Sequence, residues 1–295
     1  MATILVTGVA GFIGSHIAEQ LLKENNIVIG IDDLSAGYQQ NIPPKVVFIP
    51  TDILNIGNYD SIMKDVDVVF HNAASKKNIC LKNPSRDMQV NGIGTLRLLQ
   101  SAVKNGVTKF VHASTGSVYG EVFGKKITED TPRNPVSLYG ISKTAGETYV
   151  QYFNKAYELN TTILRYFHVY GERQESNEDT GGVVAIFTDQ IKKGKPITIH
   201  GDGLQKRVFT HVSDIVKANI EAWKNYDSEG QIYNCASSEQ ITIENLAMKL
   251  MEKYEVIVNI KYKDALPGDI YNFDVDCSAI KKDLGISFNP INKVI

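Results

Sequence analysis

Cysteine is scarce and scattered: Cys80, Cys235 and Cys277 are odd in number and far apart in a chain of 295 residues. That spacing argues against a disulfide framework and a paired-cysteine zinc site, and it fits a reducing compartment, so a cytoplasmic location is expected. No metal-ligand constellation stands out elsewhere. No apolar run approaches the roughly 18 residues that a membrane helix requires, and Met1 to Thr7 is a short β-branched run ending at a glycine loop rather than a signal peptide. Runs of Lys or Arg are also lacking, and the formal net charge is −2. Bulk electrostatics therefore give no reason to expect nucleic acid or an acidic membrane as a partner. What remains is the composition of a soluble folded chain, 43% hydrophobic and 22% charged, long enough for one large domain or two unequal ones.

The N-terminal part alternates short apolar runs with longer helical patterns. Ala2–Thr7, Ile27–Asp32, Val46–Ile49, Asp67–Phe70, Lys109–Ala113 and Thr162–Phe167 are rich in Val and Ile, bounded by turn residues, and too short for independent helices, so they read as buried strands. Between them, Phe12–Lys23, Ser85–Lys104 and Ser137–Glu158 are amphipathic. Parallel neighbours need crossover connections, so this alternation predicts a doubly wound parallel α/β sheet with helices on both faces. Such a sheet binds ligands at the carboxyl ends of its strands. After Gly171 the pattern loosens: Glu172–Gly182 is a polar loop, Val183–Lys193, Asp214–Lys224 and Ile243–Tyr254 read as helices, and Pro196–His200 and Val256–Tyr262 as strands.

Gly8, Gly11 and Gly14 sit between the first strand and the first helix, in Thr7-Gly8-Val9-Ala10-Gly11-Phe12-Ile13-Gly14. Glycines there allow a tight turn, close approach of a pyrophosphate and helix–strand packing, while the helix N-terminus offers unpaired N–H groups to phosphate. Asp32 ends the second strand at the separation expected for an acid that binds ribose hydroxyls, which favours NAD over NADP; a plain loop cap by Asp32 or Asp33 is the competing reading. Asp52 and Ile53 follow the third strand, with Asp52 towards the adenine edge, and Ala73 and Ala74 follow the fourth, where small residues let the chain pass close to a cofactor. His71 reads as a structural histidine. On this basis residues 1–171 form a Rossmann-type NAD-binding domain, rejoined by about 206–235, and residues 172–205 and 236–295 a smaller substrate-binding α/β region.

Tyr139 and Lys143 lie four apart near the start of a helix, hence on one face. A free tyrosine, with a pKa of about 10, is a poor base at neutral pH; a nearby ammonium and a cationic nicotinamide both favour its phenolate. Such a pair alone is weak. Upstream, however, the strand Lys109–Ala113 runs into Ser114-Thr115-Gly116-Ser117-Val118-Tyr119-Gly120, and the chain also carries Asn91-Gly-Ile-Gly-Thr95, Leu164-Arg165-Tyr166-Phe167, Gly201-Asp202-Gly203, Val212-x-Asp214 and Pro267-Gly268-Asp269. In this order the motifs resemble the extended short-chain dehydrogenase/reductases, the NAD-dependent epimerase/dehydratase family, and are most similar to the UDP-glucose (UDP-galactose) 4-epimerases. The resemblance spans nearly the whole chain. It implies Thr115, Tyr139 and Lys143 as the catalytic set, with Lys143 on the nicotinamide ribose, Asn91 beside the cofactor, and Arg207 on the substrate diphosphate. The implied reaction removes hydride from C4 of a UDP-hexose to retained NAD and returns it to the other face. It also implies a homodimer formed through Ser85–Lys104 and Ser137–Glu158.

Within that family, 4,6-dehydratases carry Asp-Glu directly after the catalytic Thr, and decarboxylases a Glu where Ser117 stands; here Gly116-Ser117 offers no acid or base. Other positions depart from the epimerase pattern. His168 stands where Asn is usual, His200 where an aromatic stacks on uracil, Val208 after Arg207 where Asp is frequent, and Leu266 where some relatives place a second diphosphate-binding Arg, with Lys261 and Lys263 nearby. His168 and His200 stay in the expected substrate-binding set with Thr115, Tyr139 and Arg207. Two alternatives remain open: another sugar-nucleotide oxidoreductase or dehydratase of this fold, and a non-catalytic NAD-sensing protein.

Overall fold

A computed structural model describes residues 1–55, 59–75, 77–178, 181–265 and 270–291. Leu266 and the Pro267-Gly268-Asp269 motif lie outside the described residues.

Seven parallel strands form the central sheet: β1 (Thr3–Thr7), β2 (Ile27–Asp32), β3 (Val47–Pro50), β4 (Val68–His71), β5 (Lys109–Thr115), β6 (Thr161–Tyr166) and, after four short strands, β11 (Ile232–Cys235). Their order is β11-β6-β5-β4-β1-β2-β3. Side chains alternate across each strand, so Ile4, Val6, Phe70, Val111 and Leu164 point into one apolar layer and Leu5, Val69, Phe110 and Ile163 into the other. The first layer is closed by helices α1 (Phe12–Lys23), α8 (Val212–Lys224) and α10 (Ser278–Leu284); the second by α2 (Tyr59–Met63), α5 (Thr95–Lys104) and α6 (Leu138–Tyr157). This is a doubly wound Rossmann-type α/β arrangement. The strand order reverses beside β1, between β1 and β4, and a sheet of this kind offers its crevice at that point.

The segment read as one helix, Ser85–Lys104, is three pieces. Helix α4 (Pro84–Met88) is capped by Asn83, whose side chain accepts from the Arg86 backbone N–H; a π-helical turn (Gln89–Gly94) follows and then α5. A π turn lets one residue bulge without breaking the helix. Here it carries Asn91 into the interior, where apolar periodicity alone gave no sign of the break. Helix α3 (Lys77–Lys82) precedes it.

The remaining elements build a smaller α/β layer. Strands β8 (Ile197–His200) and β13 (Ile260–Lys263) pair in parallel, β9 (Lys206–Val208) and β12 (Gln240–Thr242) antiparallel, and β7 (Val169–Tyr170) and β10 (Thr210–His211) in parallel. Helices α7 (Val183–Lys192) and α9 (Ile243–Tyr254) bury Phe187, Ile191, Leu246 and Leu250 against these strands. β13 starts at Ile260, later than the apolar run from Val256 suggests. Between the layers, Val118, Tyr119, Phe167, Val208 and Phe273 form a fourth apolar cluster, which sets the smaller layer over the carboxyl ends of β5 and β6. Among the described residues no helix is long and apolar enough to cross a membrane.

Candidate active site

A cleft of about 690 Å³ opens along the carboxyl ends of β1, β2 and β4, and a second hollow of about 220 Å³ lies beyond it, over β5 and β6. Tyr139, Tyr166 and His168 line both, so the two spaces meet at these three side chains.

Every glycine of the loop lines the long cleft, together with Phe12, Ile13, Asp32, Asp52, Ile53, Ala73 and Ala74. Gly8 has φ +72°, and a Cβ there would lie 2.8 Å from the Ala73 backbone N. The β1 and β4 loops thus pass within contact distance only because position 8 lacks a side chain. Helix α1 begins at Phe12 with Gly11 as its cap, no side-chain bond to its first turn and no acidic residue there, which leaves its N–H groups facing the cleft. Asp32 is almost fully buried. Its Oδ2 accepts from Ala10 N at 3.0 Å and its Oδ1 from Leu34 N at 2.8 Å, and burial pushes its carboxyl up from the ordinary range despite those bonds. Asp52 faces the cleft but also pairs with Arg86 at 2.7 Å, and Arg86 reaches Asp33 at 3.2 Å, so this arginine bridges two acids at the mouth. The side-chain amide of Asn72 has both polar atoms shielded from solvent and, among the described residues, no protein partner. Buried amides normally find partners, so Asn72 marks the place for a polar ligand group. A Gly-lined anion cradle, a buried carboxylate at the second strand end and an orphaned amide together fit a dinucleotide.

The Tyr139 corner is assembled from two elements. Ser137 caps α6, its Oγ accepting from Gly140 N at 3.1 Å, which puts Tyr139 in the first turn and Lys143 one turn later. Lys143 is buried, donates to the Ala113 carbonyl at 2.6 Å, and is pulled down to about 8 by burial, partly offset by Glu147 and Asp87. β5 extends through Thr115, two residues past the strand read from sequence. The Thr115 hydroxyl donates to Ser117 Oγ at 3.3 Å, accepts from Ser117 N at 3.2 Å, and favours ionisation of Tyr139. In the protein by itself the Tyr139 phenol is pushed up from its ordinary value. Burial is the main cause, the buried Asp87 carboxylate adds to it, and the Lys143 ammonium donates to the Ala113 carbonyl.

Three expected contacts are placed differently. Asn91 does not line the cleft. It is buried, accepts from Ser75 N at 2.9 Å, and donates to Asp87 Oδ1 at 2.8 Å and Ser142 Oγ at 3.0 Å, which makes it a strut between the β4 loop and α6. Arg207 is buried, donates to the carbonyls of Lys206 and Tyr271, and lies 5.8 Å over the Phe273 ring, behind the wall of the second hollow. His200 Nδ1 meets the Asp264 carbonyl at 3.1 Å, and His200 does not reach that wall either. His168 does line both spaces, with a left-handed φ of +34° and its ring against Phe209 and Phe273.

Reading the sequence missed Tyr166, Asn72, Arg86 and Asp87. Tyr166 sits inside the Leu164–Phe167 motif and Asn72 between His71 and Ala73, where strand-end position was the available signal. Nothing in the pattern around Arg86 or Asp87 distinguishes them from ordinary helix residues.

Comparison with known proteins places residues 4–236 within the model of the NAD dependent epimerase/dehydratase family. The chain is 38% identical over 229 residues to a UDP-glucose 4-epimerase of Mycolicibacterium smegmatis, 74% of this chain and 72% of that protein. Its fold matches a Thermotoga maritima UDP-glucose 4-epimerase solved with UDP-glucose at TM-score 0.94 and 35% identity, covering 97% and 94% of the two chains. It matches a Thermus thermophilus UDP-glucose 4-epimerase in complex with NAD at TM-score 0.89 and 34% identity, covering 95% and 92%. Sugar-nucleotide decarboxylases and a 4,6-dehydratase are among the similar proteins too.

Proposed function

Because this chain belongs to the NAD-dependent epimerase/dehydratase family, we propose that it epimerises C4 of a UDP-hexose, UDP-glucose and UDP-galactose or their N-acetyl forms, with NAD retained in the long cleft. One observation carries the choice within the family. Among the described residues, no carboxylate lines the hollow beside Thr115 and Tyr139. A side chain after Thr115 is also excluded sterically: a Cβ at Gly116 would lie 2.3 Å from the Phe167 ring, which is 1% exposed and packed against Tyr119 and Phe273. The related dehydratases carry Asp-Glu at the positions of 116 and 117, and the related decarboxylases a Glu at 117. This corner supplies only a glycine and a serine hydroxyl.

The residues then divide the work as follows. The glycine loop and the α1 N-terminus hold the pyrophosphate of NAD, Asp32 accepts from the adenosine ribose and repels a 2′-phosphate, and Lys143 reaches the nicotinamide ribose. NAD supplies a hydride acceptor at C4 and the positive charge that offsets the burial of Tyr139. Thr115 and Tyr139 share the C4 hydroxyl, and Tyr139 takes its proton as the carbon is oxidised. Phe167, Ile270 and Phe273 give the hollow an apolar side that lets a 4-keto sugar turn. After the turn Tyr139 returns the proton to the oxygen, while the hydride held by the bound cofactor would go back to C4 from the opposite face of the sugar. Arg207, His168 and His200 are proposed on the nucleotide side, where Arg207 must swing past Phe273 to meet a diphosphate.

The test is incubation of the purified protein with UDP-glucose, without added cofactor, followed by anion-exchange chromatography. UDP-galactose is expected to accumulate to a stable mixture with UDP-glucose. Unchanged substrate, or a product lacking water or carbon dioxide, overturns the reading; UDP-N-acetylglucosamine run alongside decides the substrate range.

A further inference from the structure

Asp87 takes no part in the chemistry above, yet it is buried at 1% exposure inside the interface of α4 with α6. Its Oδ1 accepts from Asn91 Nδ2 at 2.8 Å and from the Cys80 thiol at 2.7 Å, and Asn91 in turn bonds Ser142, the neighbour of Lys143. Burial and the nearby carboxylate push that thiol up to about 12, so Cys80 remains a proton donor. Both donors to Oδ1 are neutral, and among the described residues Asp87 is in no ion pair at bonding distance. Its charge therefore acts outward, on Tyr139 and Lys143.

Two buried carboxylates favour the Lys143 ammonium, and they are placed differently. Glu147, one turn further along α6, is the stronger of the two and is itself paired with Arg165 at 2.8 Å and Arg133 at 3.3 Å. His71 from β4 and His112 from β5 are kept neutral by burial and the Lys143 charge. Tyr139 is neutral in the protein alone. We propose that Asp87 is a positioning residue of this site: a second buried counter-charge to Lys143 beside Glu147, tied through Asn91 to Ser142, the neighbour of Lys143 in α6. The same charge disfavours the Tyr139 phenolate, so Asp87 sets the pH range of the pair as a whole. The catalytic consequence rests on the proposed epimerase reading; the electrostatic one does not.

Asp87→Asn keeps an oxygen for both donors and removes the charge. In protein labelled with ¹³C at lysine Cε, the Lys143 resonance, identified by its loss in Lys143→Arg, should titrate about one pH unit lower than in the wild type. Asp87→Ser, neutral and smaller, must move it the same way, and Cys80→Ala, which keeps the carboxylate, must leave it in place. In turnover, both limbs of the kcat–pH profile should move to lower pH together, whereas a packing defect lowers kcat without moving the limbs. A Lys143 titration identical in wild type and both neutral variants overturns the proposal. Absence of epimerisation in the wild type overturns the functional reading instead, and the titration still decides the role of Asp87.

Discussion

In the proposed reaction Tyr139 is the residue on which the chemistry turns, and its surroundings explain why it needs partners. Burial holds the phenol neutral, so it becomes a base only when positive charge arrives beside it. Tyr139→Phe keeps the ring and the α6 packing while removing the transferable proton. General acid–base groups contribute about 10²–10⁴-fold, so epimerisation should fall by that order while NAD released on denaturation stays at the wild-type amount. Near-normal turnover by this variant would dismiss Tyr139 as the acid/base. The positions of Tyr139, Lys143, Thr115, Asp32 and the glycine loop were legible in the sequence because each occupies a strand end or the first two turns of a helix, where local spacing fixes location. Asp87 and Asn91 differ. Their roles depend on partners in α3 and α6 that only the folded chain brings near, and Arg207 and His200 depend on side-chain direction, which spacing does not encode.

At the scale of elements, the site is held by the joint between β5, β6 and α6. Lys143 bonds the Ala113 carbonyl and Glu147, one turn later, accepts from Ser114 Oγ at 2.5 Å, so consecutive residues of β5 are tied to consecutive turns of α6 directly below Thr115. Arg165, paired with Ser114 across the sheet, grips Glu147 through Nε at 2.9 Å and Nη2 at 2.8 Å, and its Nη1 bonds the Tyr119 hydroxyl, whose ring it overlies at 4.6 Å. Removing one partner of a buried ion pair leaves an uncompensated charge and costs about 3–5 kcal/mol. Glu147→Gln should therefore lower the urea stability by that amount, although it preserves shape and the Ser114 bond. A loss under about 1 kcal/mol would show that the pair is not what joins these elements. Strand and helix boundaries inside this joint followed from apolar periodicity to within a residue or two. The π turn did not, because a bulge that inserts one residue leaves the average period almost unchanged.

Over the whole molecule, the sheet buries two histidines side by side. His71 accepts from Thr7 at Nδ1 and donates from Nε2 to Thr95, whose own proton goes to the Asn91 carbonyl; His112, with its ring 5.2 Å away, has no partner for either nitrogen among the described residues. Burial holds His71 down at about 3, and His112 well below its ordinary value. A histidine depressed on folding contributes fully above its unfolded value of about 6.5, and that contribution is lost as pH falls, because the unfolded chain binds the extra protons. Stability should therefore drop from pH 6.5 downward, by up to about 1.4 kcal/mol per pH unit for each ring. His112→Leu, which removes an unsatisfied polar group, should both stabilise the protein and reduce that slope in urea titrations at several pH values. An unchanged slope would assign the acid sensitivity to other groups. At the surface, Met88, Ile93, Ile141 and Tyr152 are exposed along α4, the π turn and α6. We expect these helices to pair with a second copy of the chain, so light scattering should give twice 32.7 kDa, and Ile141→Lys should reduce it to the single-chain mass. A wild-type protein already at the single-chain mass would remove this pairing.

In the proposed reaction hydride leaves C4 and returns to the same carbon within one enzyme molecule. UDP-glucose carrying deuterium at C4 tests it directly in ordinary water, with the UDP-galactose formed examined by NMR and mass spectrometry. The account predicts that the deuterium is retained, still on C4 and now on the opposite face. Deuterium lost to solvent or found on another carbon would contradict it.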